Sequence, residues 1–226
     1  MGYIPIFLDV TGRHCLVVGG GEVAARKVES LVEAGARVTV VSPRLSASME
    51  TLVVRGQAVH VARCYQHGDI GGCVLAYAAT DDPKLHRELA DEARALGIPI
   101  NVVDVPDLCT FIAPAVVKRG ALEIAISTGG ASPAFAARLR RELEDKFGPE
   151  YALALEVMRA ARRRLHAGEM DPAERMRRLK DLANSALPDA IAAGDVGAIE
   201  RILATHLGDG VGLAALGLAH AMELPG

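Results

Sequence analysis

CLVVGGGEVAARK, residues 15–27, joins a short apolar run to three consecutive glycines and then to a charged, alanine-rich segment. Glycine loses more conformational freedom on folding than any other residue, so three in a row indicate a special dihedral or a close approach to the backbone. Residues 19–24 fit the pattern G-x-G-x-x-G/A, in which Gly19 makes the turn, Gly21 admits a pyrophosphate and Ala24 keeps the helix close to the strand. A plain tight turn is the alternative.

Strands and helices alternate outward from this turn through the first hundred residues. The pattern predicts strands over 14–18, 37–41, 58–62, 73–78 and 99–103, and helices over 22–34, 45–55 and 83–96, the last capped by Asp81 or Asp82. Apolar strands that alternate with helices are typical of a parallel sheet covered on both faces. The fold class predicted is therefore α/β, with a Rossmann-type parallel sheet.

The rhythm changes after residue 110. TFIAPAVVKRGALEIAIST, residues 110–128, contains two apolar runs around a basic turn, which predicts a β-hairpin. Ser132 and Pro133 then favour the start of a helix that runs to Gly148. From Glu150 onward nearly everything is predicted to be helical, with breaks at 168–172 and 187–188.

The predicted cofactor site lies where the parallel strands end, because ligands of open α/β sheets bind outside the carboxyl ends of the strands. An Asp or Glu at the end of the second strand is usual for NAD, but Ser42 stands there. Ser42 can bond a ribose hydroxyl and Arg44 can meet a 2′-phosphate, so this position leaves NAD and NADP open; a solvated loop charge is the alternative for Arg44. The candidate cofactor-binding residues are Gly19, Gly20, Gly21, Glu22, Val23, Ser42, Pro43, Arg44 and Thr80.

Asp104 is the candidate catalytic residue. It follows the last predicted strand of the sheet, precedes Pro106, and stands where a nicotinamide and its substrate would meet. A carboxylate at this place can accept a proton or ligate a metal. The alternative is a turn residue, since Asp is common in turns.

The composition bears on partners and location. Of the 226 residues only 4% are aromatic, none is tryptophan, and the net charge is −3. These values argue against a nucleic-acid partner, and no apolar segment reaches the roughly 18 residues of a membrane span. The four scattered cysteines lack metal-binding spacing, so we expect no metal site, three buried thiols and a reducing cytoplasm.

Several motifs together closely resemble the siroheme-synthase dehydrogenase/ferrochelatase family. They are PIFLDV, the glycine turn with its flanks, AATDD, and the run from NVVDVP to RRELE, in unbroken order over about residues 3–150. The resemblance implies a homodimer with an NAD-binding Rossmann domain over 1–113, a small α+β dimerisation and substrate segment over 114–150, and a helical C-terminal domain over 151–226.

The resemblance also implies an activity. Members oxidise precorrin-2, a tetrapyrrole, to sirohydrochlorin with NAD, and some insert Fe²⁺ to give siroheme, a lyase activity that the sequence leaves open. The family aspartate maps to Asp104, and the segment near the tetrapyrrole maps to Ser127, Thr128 and Ser132; Arg138 belongs to a basic cluster expected in part to touch substrate. The alternatives are a non-catalytic NAD(H)-sensing regulatory module and, less favoured, a DNA-binding redox repressor.

Overall fold

Five parallel strands form the sheet of the first part of the chain in the computed structural model, which describes residues 2–220. The chain divides into two units, Met1–Ala113 and Pro114–Gly226. The strands of the first unit are His14–Val18 (β1), Arg37–Val41 (β2), Ala58–Val61 (β3), Leu75–Ala78 (β4) and Ile100–Val102 (β5). Its helices are Glu22–Glu33 (α1), Ala47–Val54 (α2) and Pro83–Leu96 (α3).

The sheet has the strand order β3-β2-β1-β4-β5, and every neighbouring pair is parallel. The last residues of the strands are in register: Val18 pairs with both Val41 and Ala78, Val41 pairs with Val61, and Ala78 pairs with Val102. The carboxyl ends of all five strands therefore form one level edge. The predicted Rossmann-type α/β fold is confirmed.

The two faces of this sheet are both covered. Alternate residues of β1 point to opposite faces, so Cys15 and Val17 pack with α1 and α2, whereas Leu16 and Val18 pack with α3. All four are at most 2% exposed. Burial on both faces explains why the strands read as continuous apolar runs rather than alternating ones.

Capping residues set the helix ends in this unit. Asp82, not Asp81, caps α3, because its carboxylate accepts from the backbone N–H groups of Lys84 and Leu85 at 2.9 and 3.3 Å. Ser46 caps α2, so this helix begins at Ala47, two residues later than predicted. Side-chain caps of this kind satisfy N–H groups that have no partner inside the helix.

The second unit contains the predicted hairpin and, within its described residues, five α-helices and a 3-10 helix at Ala214–Leu216. The strands Ala115–Arg119 (β6) and Leu122–Ile126 (β7) pair antiparallel. The helices are Pro133–Lys146 (α4), Glu150–Ala167 (α5), Pro172–Ala183 (α6), Leu187–Ala192 (α7) and Val196–Leu207 (α8). The division of this part into 114–150 and 151–226 stays a prediction.

A core of its own holds the last four helices together, built on side chains such as Val157, Leu182, Ile199 and Leu203. The predicted breaks around 168–172 and 187–188 coincide with the starts of α6 and α7. The break between α7 and α8 was not predicted. Its signals are local: a glycine with φ of 64° follows α7, and the next residue, Asp195, caps α8 by accepting from the backbone N–H of Ala198 at 2.8 Å.

Candidate functional site

The glycine turn joins β1 to α1 at the level edge of the sheet. Gly19 has a φ of +126°, which side chains disfavour, and a Cβ there would overlap the carbonyl group of Ala79. A Cβ on Gly20 would overlap the carbonyl oxygen of Arg44. These two glycines are thus required by the neighbouring strand-end loops. The tight packing at Gly20 was not predicted, since it depends on a residue 24 positions away.

Gly21 is the glycine that faces open space. It is the N-cap of α1, with φ of −81° and ψ of −179°, and a Cβ there meets no atom within 4 Å. No side chain caps this helix, so its first N–H groups and the positive end of its dipole face the same space. Such an end binds phosphate groups, so the residues present fit the pyrophosphate of a dinucleotide.

Ser42 is buried at the end of β2, with only 7% of its surface exposed. Its hydroxyl donates to the carbonyl of Arg44 at 2.7 Å, and its own carbonyl oxygen lies 2.9 Å from Nε2 of His60. The hydroxyl proton is therefore used in the hydrogen bond that stabilises this turn. In the predicted contact with a ribose, Ser42 could act only as an acceptor, through its hydroxyl oxygen. Pro43 and Arg44, which follow it, are exposed at the same edge.

Glu22 and Val23 form the exposed first turn of α1. The Glu22 carboxylate accepts a hydrogen bond from Ser48 of α2 at 2.7 Å. Hydrogen bonds from Ser48 and Ser46 lower the pKa of Glu22, so this side chain is an anion tied to α2. The hydrogen bond with Ser48 fixes the position of the Glu22 carboxylate beside the expected phosphate site. The sequence pattern did not indicate this contact.

Thr80 begins the loop that follows β4. Its hydroxyl accepts from the backbone N–H of Asp82 at 3.2 Å, and its carbonyl oxygen lies 2.8 Å from Nε2 of the buried His86. Because His86 is on α3, this contact fixes the Thr80 loop to the helix. Sequence reasoning missed His86, although a histidine one turn after a helix cap is a signal that could have suggested it.

Asp104 has an unusual backbone. Its φ of 59° is the only positive value among the non-glycine residues that the structure describes, and such outliers concentrate at functional sites. The turn below it is held by the buried Cys109, whose sulfur lies 3.2 Å from both the backbone nitrogen and the carbonyl oxygen of Val102. Asp104 thus stands at the end of β5, on the same edge as the glycine turn.

Lys27 is a further charged residue in this unit that was not predicted. It lies on α1 with its Nζ 5.5 Å from the centre of the Tyr77 ring, and Tyr77 meets Phe111 edge-on at 5.4 Å. Burial, and then the nearby Arg26, lower the pKa of Lys27, whereas the charge of Asp104 raises it. The net shift is downward because burial of the ammonium is the largest of these effects.

The four predicted substrate residues belong to the second unit. Ser127, Thr128 and Ser132 fold the loop before α4: Ser127 accepts from the backbone N–H of Gly129 at 3.1 Å, Thr128 accepts from that of Ser132 at 3.1 Å, and Ser132 caps α4. Arg138, on α4, pairs with Glu142 at 2.7 Å and remains largely exposed.

The basic residues around this loop are Lys118, Arg119, Arg138, Arg140 and Arg141, and most of them already bond to other groups of the second unit. Arg119 donates to the carbonyl oxygens of Phe147 and Glu144, so it fastens the hairpin to the end of α4. Arg140 pairs with Glu144 at 2.6 Å. Arg138, although it is paired with Glu142, is the most exposed of these three arginines, and Arg141 on the same helix is exposed as well.

Residues 2–220 contain no group of three or more His, Cys, Asp or Glu side chains that could hold a metal ion. No helix in the same part of the chain is long and apolar enough to cross a membrane. Cys15, Cys73 and Cys109 are buried, as predicted, and Cys64 is exposed.

The level strand edge and the glycine turn define an NAD(P)-binding domain of the Rossmann type, and the family model for NAD(P)-binding domains matches residues 6–115. A second model, for the central part of sirohaem biosynthesis proteins, matches residues 119–146. A siroheme synthase of Pseudomonas aeruginosa (strain LESB58) is 41% identical over 219 residues, 96% of this chain and 47% of that protein. The chain is therefore similar to siroheme synthases over about half of their length.

Other relatives give a similar result. A siroheme synthase of Nitrosomonas europaea is 45% identical over 145 residues, 64% of this chain and 30% of that protein. The solved structure of SirC, a precorrin-2 dehydrogenase, has the same fold, with a TM-score of 0.69 at 24% identity over 84% of this chain and 94% of that one. The chain spans about half the length of the P. aeruginosa relative.

Proposed function

We propose that this chain oxidises precorrin-2 to sirohydrochlorin with NAD as the hydride acceptor. The observation that carries the proposal is the shared strand edge: the open N-terminus of α1 at Gly21 and the carboxylate-bearing residue Asp104 both stand at it. The similarity to siroheme synthases and the name of the structural neighbour, a precorrin-2 dehydrogenase, support the choice of substrate.

Each part of the strand edge has a role in this reaction. The first N–H groups of α1 bind the pyrophosphate, while Pro43 and Arg44 face the ribose side and Thr80 lines the loop beyond β4. NAD, when bound, supplies the carbon that accepts a hydride. Removing a hydride and a proton from the macrocycle also requires a proton acceptor, and Asp104 is that base. General-base assistance is typically worth about 10²–10⁴-fold in rate.

The second unit supplies the substrate contacts in this proposal. Precorrin-2 carries eight carboxylates, so its recognition needs cations. Arg138 and the hydroxyls of Ser127, Thr128 and Ser132 are our candidates. Replacement of Arg138 by Gln should raise KM for precorrin-2, since the cation binds ground state and transition state alike. Arg177→Gln, on α6, is the matched control.

The decisive assay is anaerobic incubation of the purified chain with precorrin-2, with and without NAD and Fe²⁺. We expect NADH to appear in step with sirohydrochlorin and only when NAD is added. An NAD(H)-sensing module would bind NAD without turning over precorrin-2, and that result would refute the proposal. The Fe²⁺ arm measures insertion of iron, the ferrochelatase activity, independently of NADH.

We also propose that the chain forms a homodimer in the cytoplasm. Within the described residues the sheet of the second unit consists of β6 and β7 alone, so the outer edge of each strand has no neighbouring strand. Open strand edges invite pairing with another chain, and an isolated two-stranded hairpin is only marginally stable in water. Val116 of β6 is 41% exposed. Sedimentation velocity should show a dimer that Val116→Lys weakens, while Val59→Lys, on the edge strand β3, leaves it intact; a wild-type monomer at micromolar concentration refutes dimerisation.

Three buried free thiols favour a reducing compartment.

A further inference from the structure

The corner between the glycine turn and the loop after β2 is tightly built. The backbone N–H of Ser46 donates to the carbonyl oxygen of Gly20 at 2.7 Å, and the same glycine packs against the carbonyl oxygen of Arg44. The loop that follows β2 therefore lies directly against the turn that is expected to bind the pyrophosphate. In a Rossmann-type site the adenosine ribose lies at this loop, because a residue at the end of the second strand contacts its 2′-hydroxyl.

The Glu22 carboxylate lies within this corner. Ser48 of α2 donates to its Oε2 at 2.7 Å. Hydrogen bonds from Ser48, and then from Ser46, lower the pKa of Glu22, and the charge of Arg26 adds a smaller effect in the same direction. The side chain is therefore an anion near pH 7. Because Glu22 directly follows Gly21, a fixed negative charge stands between the expected pyrophosphate position and the loop after β2.

The other polar groups of this corner do not supply a fixed cation. The buried Ser42 hydroxyl donates to the carbonyl of Arg44 at 2.7 Å. The Arg44 side chain is exposed, and an exposed arginine has to be ordered before it pairs with a phosphate, which offsets most of the attraction. The hydroxyls of Ser46 and Ser48, which are neutral donors that suit a phosphate, already bond to Glu22. The charge that is held in place at this corner is thus negative.

We propose that Glu22 is a specificity-determining residue that selects NAD over NADP by excluding the 2′-phosphate. NADP differs from NAD only in this group, and a phosphate monoester carries about −1.5 to −2 charges near pH 7. A carboxylate has about four lone-pair sites, so Glu22 can accept from the ribose 2′-hydroxyl of NAD while Ser48 donates to it. The same carboxylate repels a phosphate at that position. The inference rests on the proposed function in one respect, that the glycine turn binds a dinucleotide.

Calorimetric titration of NAD and of NADP into the wild type and two variants measures this selection without turnover. The wild type should bind NAD more tightly than NADP. Glu22→Gln keeps the size of the side chain and removes its charge, so the affinity for NADP should rise roughly tenfold relative to that for NAD. Glu29→Gln is the matched control, because Glu29 is exposed on α1 two turns further along the same face, about 10 Å away. The control should keep the affinity ratio of the wild type.

The outcomes separate this inference from the proposed function. If the wild type oxidises precorrin-2 with NAD and Glu22→Gln leaves the ratio of the NAD and NADP affinities unchanged, the role of Glu22 is overturned and the proposed function stands. If the ratio falls in Glu22→Gln but the wild type does not oxidise precorrin-2, the role of Glu22 is supported and the proposed function is refuted. A wild type that binds NADP as tightly as NAD, or an equal change in Glu29→Gln, would also overturn the selection by Glu22.

Discussion

Gly21→Asp is expected to separate cofactor binding from folding, because it should change the two in opposite directions. Gly21 caps α1 with extended dihedrals that any residue adopts, and a Cβ there meets no atom within 4 Å. Asp is a better N-cap than Gly, and a residue with a Cβ narrows the unfolded ensemble. Together these effects should stabilise the protein by about 0.5–1.5 kcal/mol, a rise in Tm of roughly 1–6 °C for a chain of this length.

The same carboxylate would lie where the pyrophosphate binds. Two unit charges 4 Å apart repel by about 4 kcal/mol at an effective dielectric constant of 20, which corresponds to roughly a thousandfold loss of NAD affinity. Gly21→Asn is the matched control, since Asn fills similar space and caps the helix without a charge. The difference between the two variants should shrink at high salt, where the Debye length falls to about 3 Å.

Calorimetric titration of NAD into the wild type and both variants, with thermal unfolding of each without NAD, gives the two quantities. We expect Gly21→Asp to melt no lower than the wild type and to lose NAD binding. A stable Gly21→Asp protein that binds NAD as tightly as the wild type would refute the assignment of the glycine turn to the pyrophosphate. Equal losses in Gly21→Asp and Gly21→Asn would refute the electrostatic part alone.

Three more predictions address other parts of the first unit. Asp104→Asn should lower turnover of precorrin-2 by about 10²–10⁴-fold and leave NAD affinity unchanged in calorimetry; near-normal turnover would exclude Asp104 as the base. Glu92→Gln should lower the free energy of unfolding, measured in urea, by about 1–3 kcal/mol. The reason is that the buried Glu92 carboxylate accepts hydrogen bonds from the Tyr65 hydroxyl at 2.6 Å and from the Gly68 backbone N–H at 2.7 Å. The pKa of Tyr65, which burial and Glu92 raise, should fall in the same variant. A thiol reagent at pH 8 should label one cysteine per native chain quickly, the exposed Cys64, because burial raises the pKa of the other three thiols; two fast-reacting thiols would contradict the buried core.

The parts of this fold that could be predicted from the sequence are those that depend on local signals. Continuous apolar runs marked the buried strands, and capping residues such as Ser132 marked helix starts. The end of each parallel strand could be placed because the turn after it is polar or glycine-rich. Because the carboxyl ends of parallel strands lie along the same edge of a sheet, the sequence also indicated that Gly19 and Asp104 lie at that edge.

The rest depends on contacts between residues far apart in the chain. The overlap that excludes a side chain at Gly20 comes from the Arg44 carbonyl, and the place of Lys27 is defined by Tyr77, 50 positions later. Ser42 shows the opposite case: its type suggested a ligand contact, but its hydroxyl proton is used in its own turn. A residue type at a strand end indicates what it can bind, whereas only the packing shows what it already binds.

Asp104 combines both kinds of information. The left-handed conformation at this position costs most L-residues roughly 1–2 kcal/mol, and Gly, Asn and Asp tolerate it best. Of these three, Asp alone carries a group that can accept a proton near neutral pH. A turn that only had to reverse the chain would accept Gly, with less strain and no charge. The backbone conformation narrows the choice to three residues, and the chemistry proposed for the strand edge selects Asp among them. Asp104→Gly should therefore relax the backbone while removing the base, so that this variant unfolds at no lower temperature than the wild type and yet loses turnover as fully as Asp104→Asn.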